Sequence, residues 1–496
     1  MKYFLMLIQL WVGFLPICAS YPKANIWIIP SVESPQVYRN YAQTSKVHLE
    51  MARGEVEHIQ LVFPSKVNEE YRFTFDRNLK GIQISARELK KMNGYYDALV
   101  PFKNQLKCTD TLTAVWITVQ CPSRVPVGKY HQTIKIEGSK HFTIQLDYNV
   151  HHTTIPLKSS IPITVGVENR CVAEGLNDKE ADKERQRWVD FVLSYRMTPV
   201  FGTQITPERW QYEHSFSPWA WNDKRSIRLL NDRRYSCYML PFFTLSENEL
   251  ASLLCNIQKK GKLKESLFYI WDEPAYMEDY EQIKQKVNII RKYASDARIL
   301  TTFFCGPRNG PRKGDLYAVF DYLKHHIHVA TISLAPCKGN EEEVQHIRYK
   351  VPEGIDWWSY VCWQPGGNEP NFLLQMKGIQ QRAIMWRTWK NGSQGFLYWN
   401  CNIYHKRNPF TYITDMPHGD GILIYPGDIL GRKGPIASAR LERWRDGAEE
   451  MELLRLVEKN YSKEKADTLL NIVYSSPLSF IEKAHNIPFF RKELLD

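Results

Sequence analysis

Residues 267–276 read LFYIWDEPAY, an apolar run followed by two adjacent carboxylates, Asp272 and Glu273, and by a proline. A short apolar run with turn residues behind it is typical of a strand buried in a parallel sheet. In barrel enzymes, the groups that follow such a strand lie on the face that carries the chemistry. We therefore expect an α/β barrel built around this strand, with its site at the strand's carboxyl end.

Seven other apolar runs of strand length begin at residues 161, 197, 236, 299, 328, 355 and 395. Stretches with helical periodicity separate them. Eight strand-then-helix units in succession are what a (β/α)8 TIM-type barrel requires. The tail from Pro435 has the pattern of amphipathic helices that close a barrel and pack beneath it. We predict a catalytic barrel with this C-terminal helical extension over residues 156–496.

The preceding segment, residues 21–155, consists of short alternating or apolar runs separated by turn residues. Such spacing without helical periodicity predicts an antiparallel β-sandwich. Cys108 and Cys121 could bridge two neighbouring strands there. The other cysteines are widely spaced, mostly in apolar runs, and do not form the pattern of a disulfide framework.

Residues 1–20 have the layout of a secretory signal peptide: a lysine, an apolar run and then small residues at Ala19 and Ser20. Export to the periplasm or the cell surface is therefore expected. In a second interpretation, Leu15 to Cys18 form a loose lipoprotein box, so that lipid on Cys18 tethers the protein to a membrane. No other segment is predicted to span one.

The composition, 43% hydrophobic and 24% charged, excludes a disordered chain. The formal net charge of +11 comes from scattered lysines and arginines with acids among them, and no nucleic-acid-binding motif is present. His325, His326 and His328 lack matching cysteine or carboxylate spacing, which favours a surface cluster over a metal site. The basic stretch at 306–315 lacks the Gly-Lys-Ser/Thr end of a phosphate loop and is predicted to follow the fifth strand. We expect neither a metal nor an organic cofactor.

Asp272 and Glu273 are of the residue type that glycosidic bond cleavage requires, although Asp-Glu-Pro is also common at turns and helix starts. The standard scheme uses one carboxyl group as acid and another across the bond as nucleophile. Neighbouring residues are badly placed for it, because alternation along a strand points them to opposite sides. The bend at the strand end weakens this objection, and Pro274 is expected to keep Glu273 extended. The pair suits a scheme in which a sugar's own 2-acetamido oxygen attacks the anomeric carbon.

Several separated blocks resemble glycoside hydrolase family 123, the β-N-acetylgalactosaminidases and their bacterial relatives. These blocks are LEMARGEVEHIQLVFPS at 49–65, YIWDEPAY at 269–276, DWWSYVCWQP at 356–365 with EPN at 369–371, RAIMWRTWKNGSQGFLYWNCNIY at 382–404, GDGILIYPG at 419–427 and SARLERWRDGAEEMELL from 438. The resemblance implies a sandwich ahead of a barrel. It implies that Asp272 stabilises the substrate's acetamido group and that Glu273 is the acid and then the base.

Aromatic and polar residues near the last two barrel strands are candidates for sugar binding. Trp358, Tyr360 and Trp399 are predicted to form an apolar floor for the sugar ring, with barrel packing as the alternative. In the loop after the eighth strand, the candidates for reading sugar hydroxyls are Asn402, Tyr404 and Asp420.

Three other residues have structural interpretations. Arg440 and Glu442 are expected to pair in the closing helix. Asn391 begins the sequence Asn-Gly-Ser, which fits a glycosylation site or otherwise an exposed turn.

These observations predict a retaining exo-β-N-acetylhexosaminidase that releases terminal N-acetylgalactosamine from a glycan or glycolipid. One alternative is the same chemistry on β-N-acetylglucosamine. The other is a surface protein that binds carbohydrate and has lost activity. Sequence does not indicate the linkage, the aglycone or the oligomeric state.

Overall fold

The computed structural model describes residues 26–496 except 77–78, 207–210, 336–338, 340, 405–407 and 410–417. The predicted signal peptide and Cys18 lie outside the described residues. Within the described part of the chain, no helix is long and apolar enough to cross a membrane.

The N-terminal region is a sandwich of two five-stranded sheets with the orders β1-β3-β8-β5-β6 and β2-β10-β9-β4-β7. Apolar side chains from the inner faces of both sheets form one buried core. The strands are β1 (Trp27–Pro30), β2 (Lys46–Arg53), β3 (Val56–Pro64), β4 (Glu70–Phe75), β5 (Gln83–Met92), β6 (Tyr95–Pro101), β7 (Gln105–Lys107), β8 (Leu112–Gln120), β9 (Gly128–Glu137) and β10 (His141–Thr154).

Two expectations about this region were wrong. The pairing is not purely antiparallel, because β10 runs parallel to β2 along their shared edge. Cys108 and Cys121 form no disulfide, and both are buried as free thiols. Since the two sheets already enclose a continuous apolar core, these cysteines pack as small hydrophobic residues.

A nine-stranded, mostly parallel sheet follows, in the order β13-β12-β11-β19-β18-β17-β16-β15-β14. Each of the eight apolar runs named above overlaps one of its parallel strands. The strands are β11 (Ile163–Glu168), β12 (Thr198–Thr206), β13 (Gln211–Ser215), β14 (Tyr238–Met239), β15 (Ser266–Trp271), β16 (Arg298–Phe303), β17 (Val329–Ser333), β18 (Asp356–Val361) and β19 (Phe396–Tyr398).

This sheet curls into a nearly closed barrel and differs from the expected regular topology. The second strand, β12, pairs antiparallel with β13, the next strand along the chain. Between the two sheet ends the backbone N–H of Phe216 donates to the carbonyl oxygen of Met239 at 2.7 Å. The sequence pattern did not reveal β13, because its residues QYEHS contain no apolar run.

Helices pack against the sheet and against one another. A small hairpin, β20 (Ile424–Pro426) with β21 (Pro435–Ala437), precedes the long helix α9. The helices are α1 (Asn169–Ala173), α2 (Asp178–Ser194), α3 (Lys224–Leu229), α4 (Glu247–Lys259), α5 (Met277–Arg291), α6 (Ala318–Leu323), α7 (Glu341–Tyr349), α8 (Gly378–Lys390), α9 (Ala439–Asn460), α10 (Lys463–Leu470) and α11 (Ile487–Leu495).

Helix α9 is buried over most of its length and carries charged side chains into the interior. Arg382 of α8 donates from Nε to Glu450 at 3.0 Å and from Nη1 to Asp446 at 3.1 Å. Arg491 of α11 meets the sandwich, with Nη2 2.8 Å from Glu55 and Nε 2.9 Å from Glu57. The Arg382 pairs connect α8 to α9, and the Arg491 pairs connect α11 to the sandwich.

Arg440, at the start of α9, does not pair with Glu442. Its Nε donates to Asp97 of the sandwich at 3.0 Å, and its Nη1 and Nη2 donate to the carbonyl oxygens of Gly419 and Ile422 at 2.7 and 2.5 Å. Glu442 bonds Tyr195 and two other arginines instead. The expected pair was wrong because both side chains find partners on other elements.

Replacing Arg491 should destabilise the fold strongly. Arg491→Met leaves Glu55 and Glu57 as buried carboxylates without their guanidinium, and we expect the free energy of unfolding to fall by about 3–5 kcal/mol. Urea denaturation measures it. The control, Lys284→Met, breaks an exposed pair with Glu281 and should change the free energy of unfolding by less than about 1 kcal/mol. Equal effects of the two variants would contradict a structural role for the buried pairs.

Candidate active site

Strand β15 ends in a bulge that sets the direction of the residues after it. Tyr269 pairs with Leu300 and Trp271 with Thr301, so Ile270 is an extra residue with no partner on β16. Tyr269 lies in the barrel interior, whereas Trp271 packs outside it, with the Lys286 ammonium 5.2 Å from its ring centroid. Asp272 then returns to the barrel mouth.

Glu273 has a left-handed backbone, with φ of +45°. The expectation that Pro274 would keep it extended was wrong. Its backbone N–H donates to Thr302 Oγ1 at 3.0 Å, which holds the chain in this turn. A left-handed non-glycine residue is strained by roughly 1–3 kcal/mol, and such strain is common at functional sites. Its consequence here is that adjacent carboxylates no longer point to opposite sides.

Two hydroxyl groups fix the Asp272 carboxylate. Tyr269 and Thr302 each donate to Asp272 Oδ1 at 2.7 Å, and neither contacts Oδ2. The residue itself is exposed at the barrel mouth. Asp272 therefore presents an oriented carboxylate oxygen toward the space above the barrel.

Glu273 is held by one hydroxyl and is less exposed. Tyr360 donates to Glu273 Oε1 from the end of β18. Burial raises the pKa of Glu273 to about 7 and the negative charge of Asp272 acts in the same direction, while Tyr360 and Arg308 oppose the rise. A carboxyl group with this pKa is partly protonated at neutral pH and can both donate and accept a proton.

A pocket beside Asp272 contains about 610 Å³ of empty space, part of which is open to solvent. Its walls come from β11, β12, β13, β15 and β19, together with Asp272, Trp399 and Asn400. Gly166 is required on one wall, because a Cβ there would lie 1.8 Å from the carbonyl oxygen of Trp399. The pocket is therefore a shaped cleft at the carboxyl end of the parallel strands.

Asp420 lies behind the pocket wall. Tyr398 and Trp399 both donate to its Oδ1 at 3.1 Å, and its buried Oδ2 has no hydrogen-bond partner among the described residues. Burial raises the pKa of Asp420 to about 6 against these hydrogen bonds. The bond to Trp399 fixes the indole ring at the pocket wall.

His214 is a pocket residue that sequence reasoning missed. It lies on β13 and stacks on Tyr269, with ring centroids 4.2 Å apart and planes at 22°. Burial lowers the pKa of His214 to about 4, so the imidazole is neutral at physiological pH. No sequence signal pointed to it, because β13 itself was not predicted.

The structure brings only some of the predicted binding residues to the cleft. Trp399 lines the pocket, and Tyr360 bonds Glu273. Trp358 is 1% exposed inside the barrel, and Tyr404 is also buried outside the pocket wall. Asn402 lies outside that wall too: its Oδ1 accepts from the backbone N–H of Glu168 at 2.8 Å, and its Nδ2 donates to that residue's carbonyl oxygen.

Two other expectations concern the basic stretch and Asn391. The basic stretch 306–315 follows β16, the fifth parallel strand, as predicted. Asn391 is fully buried after α8, so both the glycosylation site and the exposed turn were wrong. Among the described residues, neither the histidines at 325–328 nor any other group of three or more His, Cys, Asp or Glu could hold a metal ion.

A barrel-like parallel sheet with paired carboxylates at the end of one strand is the arrangement of a barrel glycosidase. The family description "Glycoside hydrolase 123, catalytic domain" matches residues 183–457, more than half of the chain. The chain belongs to glycoside hydrolase family 123. Both carboxylates, Trp399 and Asp420 lie within the matched segment.

The fold is shared with a solved family 123 glycoside hydrolase from Clostridium perfringens, studied for glycolipid glycan hydrolysis. The two agree with a TM-score of 0.65 over 95% of this chain and 97% of that chain, at 14% sequence identity. A family 2 β-galacturonidase from Eisenbergiella tayi has a TM-score of 0.36 at 9% identity over 80% and 69% of the chains, too low to carry an argument. A comparison with curated proteins gives no match.

Thr302→Val should impair glycosidase activity while the fold persists. The variant keeps the side-chain shape but removes the bonds to Asp272 and to the Glu273 N–H. Loss of a hydrogen bond to a charged group corresponds to about 10–100-fold in kcat/KM. Thr331→Val is the matched control, since this buried threonine on β17 has no partner for Oγ1 within the described residues. Similar activity losses in both variants would contradict the positioning role of Thr302.

Proposed function

We propose that the protein is a retaining exo-β-N-acetylhexosaminidase that releases terminal β-linked N-acetylgalactosamine by substrate-assisted catalysis. One observation carries this proposal. The left-handed turn at Glu273 and the bulge before it direct two sequence-adjacent carboxylates to tyrosines of one barrel interior: Asp272 bonds Tyr269 beside the pocket, and Glu273 bonds Tyr360 across the barrel mouth.

In the first step the acetamido carbonyl oxygen of the bound sugar attacks the anomeric carbon. Protonated Glu273 gives its proton to the glycosidic oxygen, the bond to the aglycone breaks, and an oxazolinium ion forms. Asp272 accepts a hydrogen bond from the acetamido N–H and stabilises the positive charge. In the second step the Glu273 carboxylate takes a proton from water, whose oxygen attacks the anomeric carbon from the side the aglycone left. The bond between the anomeric carbon and the acetamido oxygen breaks, which restores the acetamido group. Two displacements retain the β configuration.

Each carboxyl group suits its assigned task. Asp272 is fixed by two hydroxyls on one oxygen, as an orienting and charge-stabilising group requires. Glu273 has a pKa near 7, so it can serve as an acid and then as a base. The Trp399 ring is held by Asp420 and offers an apolar surface to the sugar.

The preference for N-acetylgalactosamine rests on family membership, and the substrate class rests on the Clostridium perfringens relative. We propose a glycan or glycolipid with a terminal N-acetylhexosamine as substrate. We also propose that the protein is exported, with residues 21–155 and 156–496 as its two domains, and that the nine-stranded sheet derives from a (β/α)8 barrel.

Chromogenic β-N-acetylgalactosaminide and β-N-acetylglucosaminide substrates test the reaction. We expect turnover of the first that falls by about 10²–10⁴-fold in Glu273→Gln, which lacks the acid and base, and by about 10²–10³-fold in Asp272→Asn. Glu278→Gln changes an exposed carboxylate on α5 and serves as the control.

A preference for the glucosaminide would assign the other sugar. No turnover of any acetamido sugar would favour a silent carbohydrate-binding protein. A sugar thiazoline, which mimics the oxazolinium ion, should inhibit; full activity in its presence would refute the substrate-assisted scheme.

Tyr360→Phe should move the pH dependence of kcat/KM. The acid form of Glu273 is needed in the first step, so kcat/KM falls as pH rises through the pKa of Glu273. Since the Tyr360 hydroxyl stabilises the carboxylate and lowers that pKa, its removal should shift the alkaline limb to higher pH. Tyr293→Phe, which removes a similar bond to Glu247 at 2.7 Å on the surface, should leave the limb in place. A shift to lower pH would contradict the role of Tyr360.

A further inference from the structure

The pocket beside Asp272 occupies one side of the barrel mouth. None of the residues that line it comes from β16, β17 or β18, within the part of the chain that the structure describes. Glu273 bonds Tyr360 at the end of β18, on the other side. A sugar in the pocket must direct its glycosidic oxygen toward Glu273. The group attached to that oxygen therefore extends over the ends of β16 and β18.

Two aromatic rings lie at those strand ends. Phe304 follows β16 directly, and Trp363 follows β18 by two positions. The rings are stacked, with centroids 6.3 Å apart and planes at 27°. Trp363 is 39% exposed, so part of its ring is accessible to a ligand. Sugar rings pack their C–H groups against faces of this kind.

An exposed arginine, Arg308, follows Phe304 by four positions in the basic loop. The backbone N–H of Arg308 donates to the carbonyl oxygen of Ala275 at 2.6 Å, which fixes the basic loop against the segment that follows Glu273. The positive charge of Arg308 also lowers the pKa of Glu273. Arg312, in the same loop, pairs with Asp315 and Asp321, whereas Arg308 has no carboxylate within 4.0 Å among the described residues.

We propose that Phe304, Trp363 and Arg308 form an aglycone subsite for a sugar that carries an anionic substituent. This inference rests on the proposed role of Glu273 as the acid. The aromatic pair packs against the sugar ring next to the cleaved bond. Arg308 pairs with a carboxylate or a sulfate on that ring, groups that match its planar donors. The basic stretch at 306–315 thereby acquires a function in substrate selection.

Four kinds of substrate test the subsite. The first is the β-fluoride of N-acetylgalactosamine, whose leaving group has no ring. The other three are β-N-acetylgalactosaminyl-galactose in unsubstituted, sulfated and sialylated forms, each in 1→3 and 1→4 linkages. We expect the wild-type protein to hydrolyse an anionic disaccharide with kcat/KM about 10–100-fold above the neutral one, the range for a hydrogen bond to a charged group. Comparison of the sulfated and sialylated forms identifies which anion is taken.

Variants separate the two contributions. Arg308→Ala should bring the ratio of anionic to neutral kcat/KM close to one, and Arg308→Lys should restore part of it. Trp363→Ala should lower the ratio of disaccharide to fluoride for neutral and anionic substrates alike. Lys313→Ala removes the same charge from an exposed position of the same loop and should leave every ratio unchanged.

Failure of the subsite and failure of the proposed reaction give different results. Three results would overturn the subsite alone, provided that the fluoride is cleaved. They are no preference for anionic disaccharides, a preference that persists in Arg308→Ala, and no cleavage of any disaccharide. If the wild-type protein does not cleave the fluoride, the proposed reaction fails and the subsite fails with it.

Discussion

The ion pairs buried around helix α9 determine how the parts of this molecule are placed. A charge removed from water is tolerated only when a partner and hydrogen bonds surround it, so such a network permits one arrangement and penalises others. Arg440 shows how far this constraint reaches. Its guanidinium joins Asp97 of the sandwich to the carbonyl oxygens of Gly419 and Ile422, which lie on either side of Asp420. Asp420 in turn holds Trp399, so the sandwich contributes to the shape of the pocket without touching it.

On the other side of the cleft, the directions of Asp272 and Glu273 depend on contacts within and next to strand β15. A bulge in β15 and the left-handed Glu273 together redirect two residues that a regular strand would separate. Thr302 stabilises both features at once, because its hydroxyl donates to Asp272 and accepts from the Glu273 N–H. The arrangement depends on one side chain of the neighbouring strand, which explains how a strained turn persists at the end of an otherwise regular element.

Features that depend on apolar periodicity could be predicted from sequence. Features that depend on how deeply a side chain is buried, or on its contacts in the folded chain, could not. The eight runs gave the parallel strands because burial on both faces leaves a continuous apolar signal. Strand β13 and His214 carried no such signal. A position near the end of a strand made Trp358 and Tyr360 candidates for sugar binding, but it could not show that Trp358 is buried inside the barrel. In the sequence, the charged residues of α9 resemble the exposed face of an amphipathic helix. Their partners lie on other segments and come close to them only in the folded chain.

The buried ion pairs around α9 also bear on whether the catalytic region can be separated from the rest of the chain. The segment that matches the family description, residues 183–457, begins after β11 and ends before α11. Cutting the gene at those limits would discard Gly166 from the pocket wall and Arg491 from the charge network, and would leave Arg440 without Asp97. The region defined by sequence similarity is thus smaller than the unit that can be transplanted. Fusion or grafting experiments with this protein should carry the sandwich and the last helix along with the barrel.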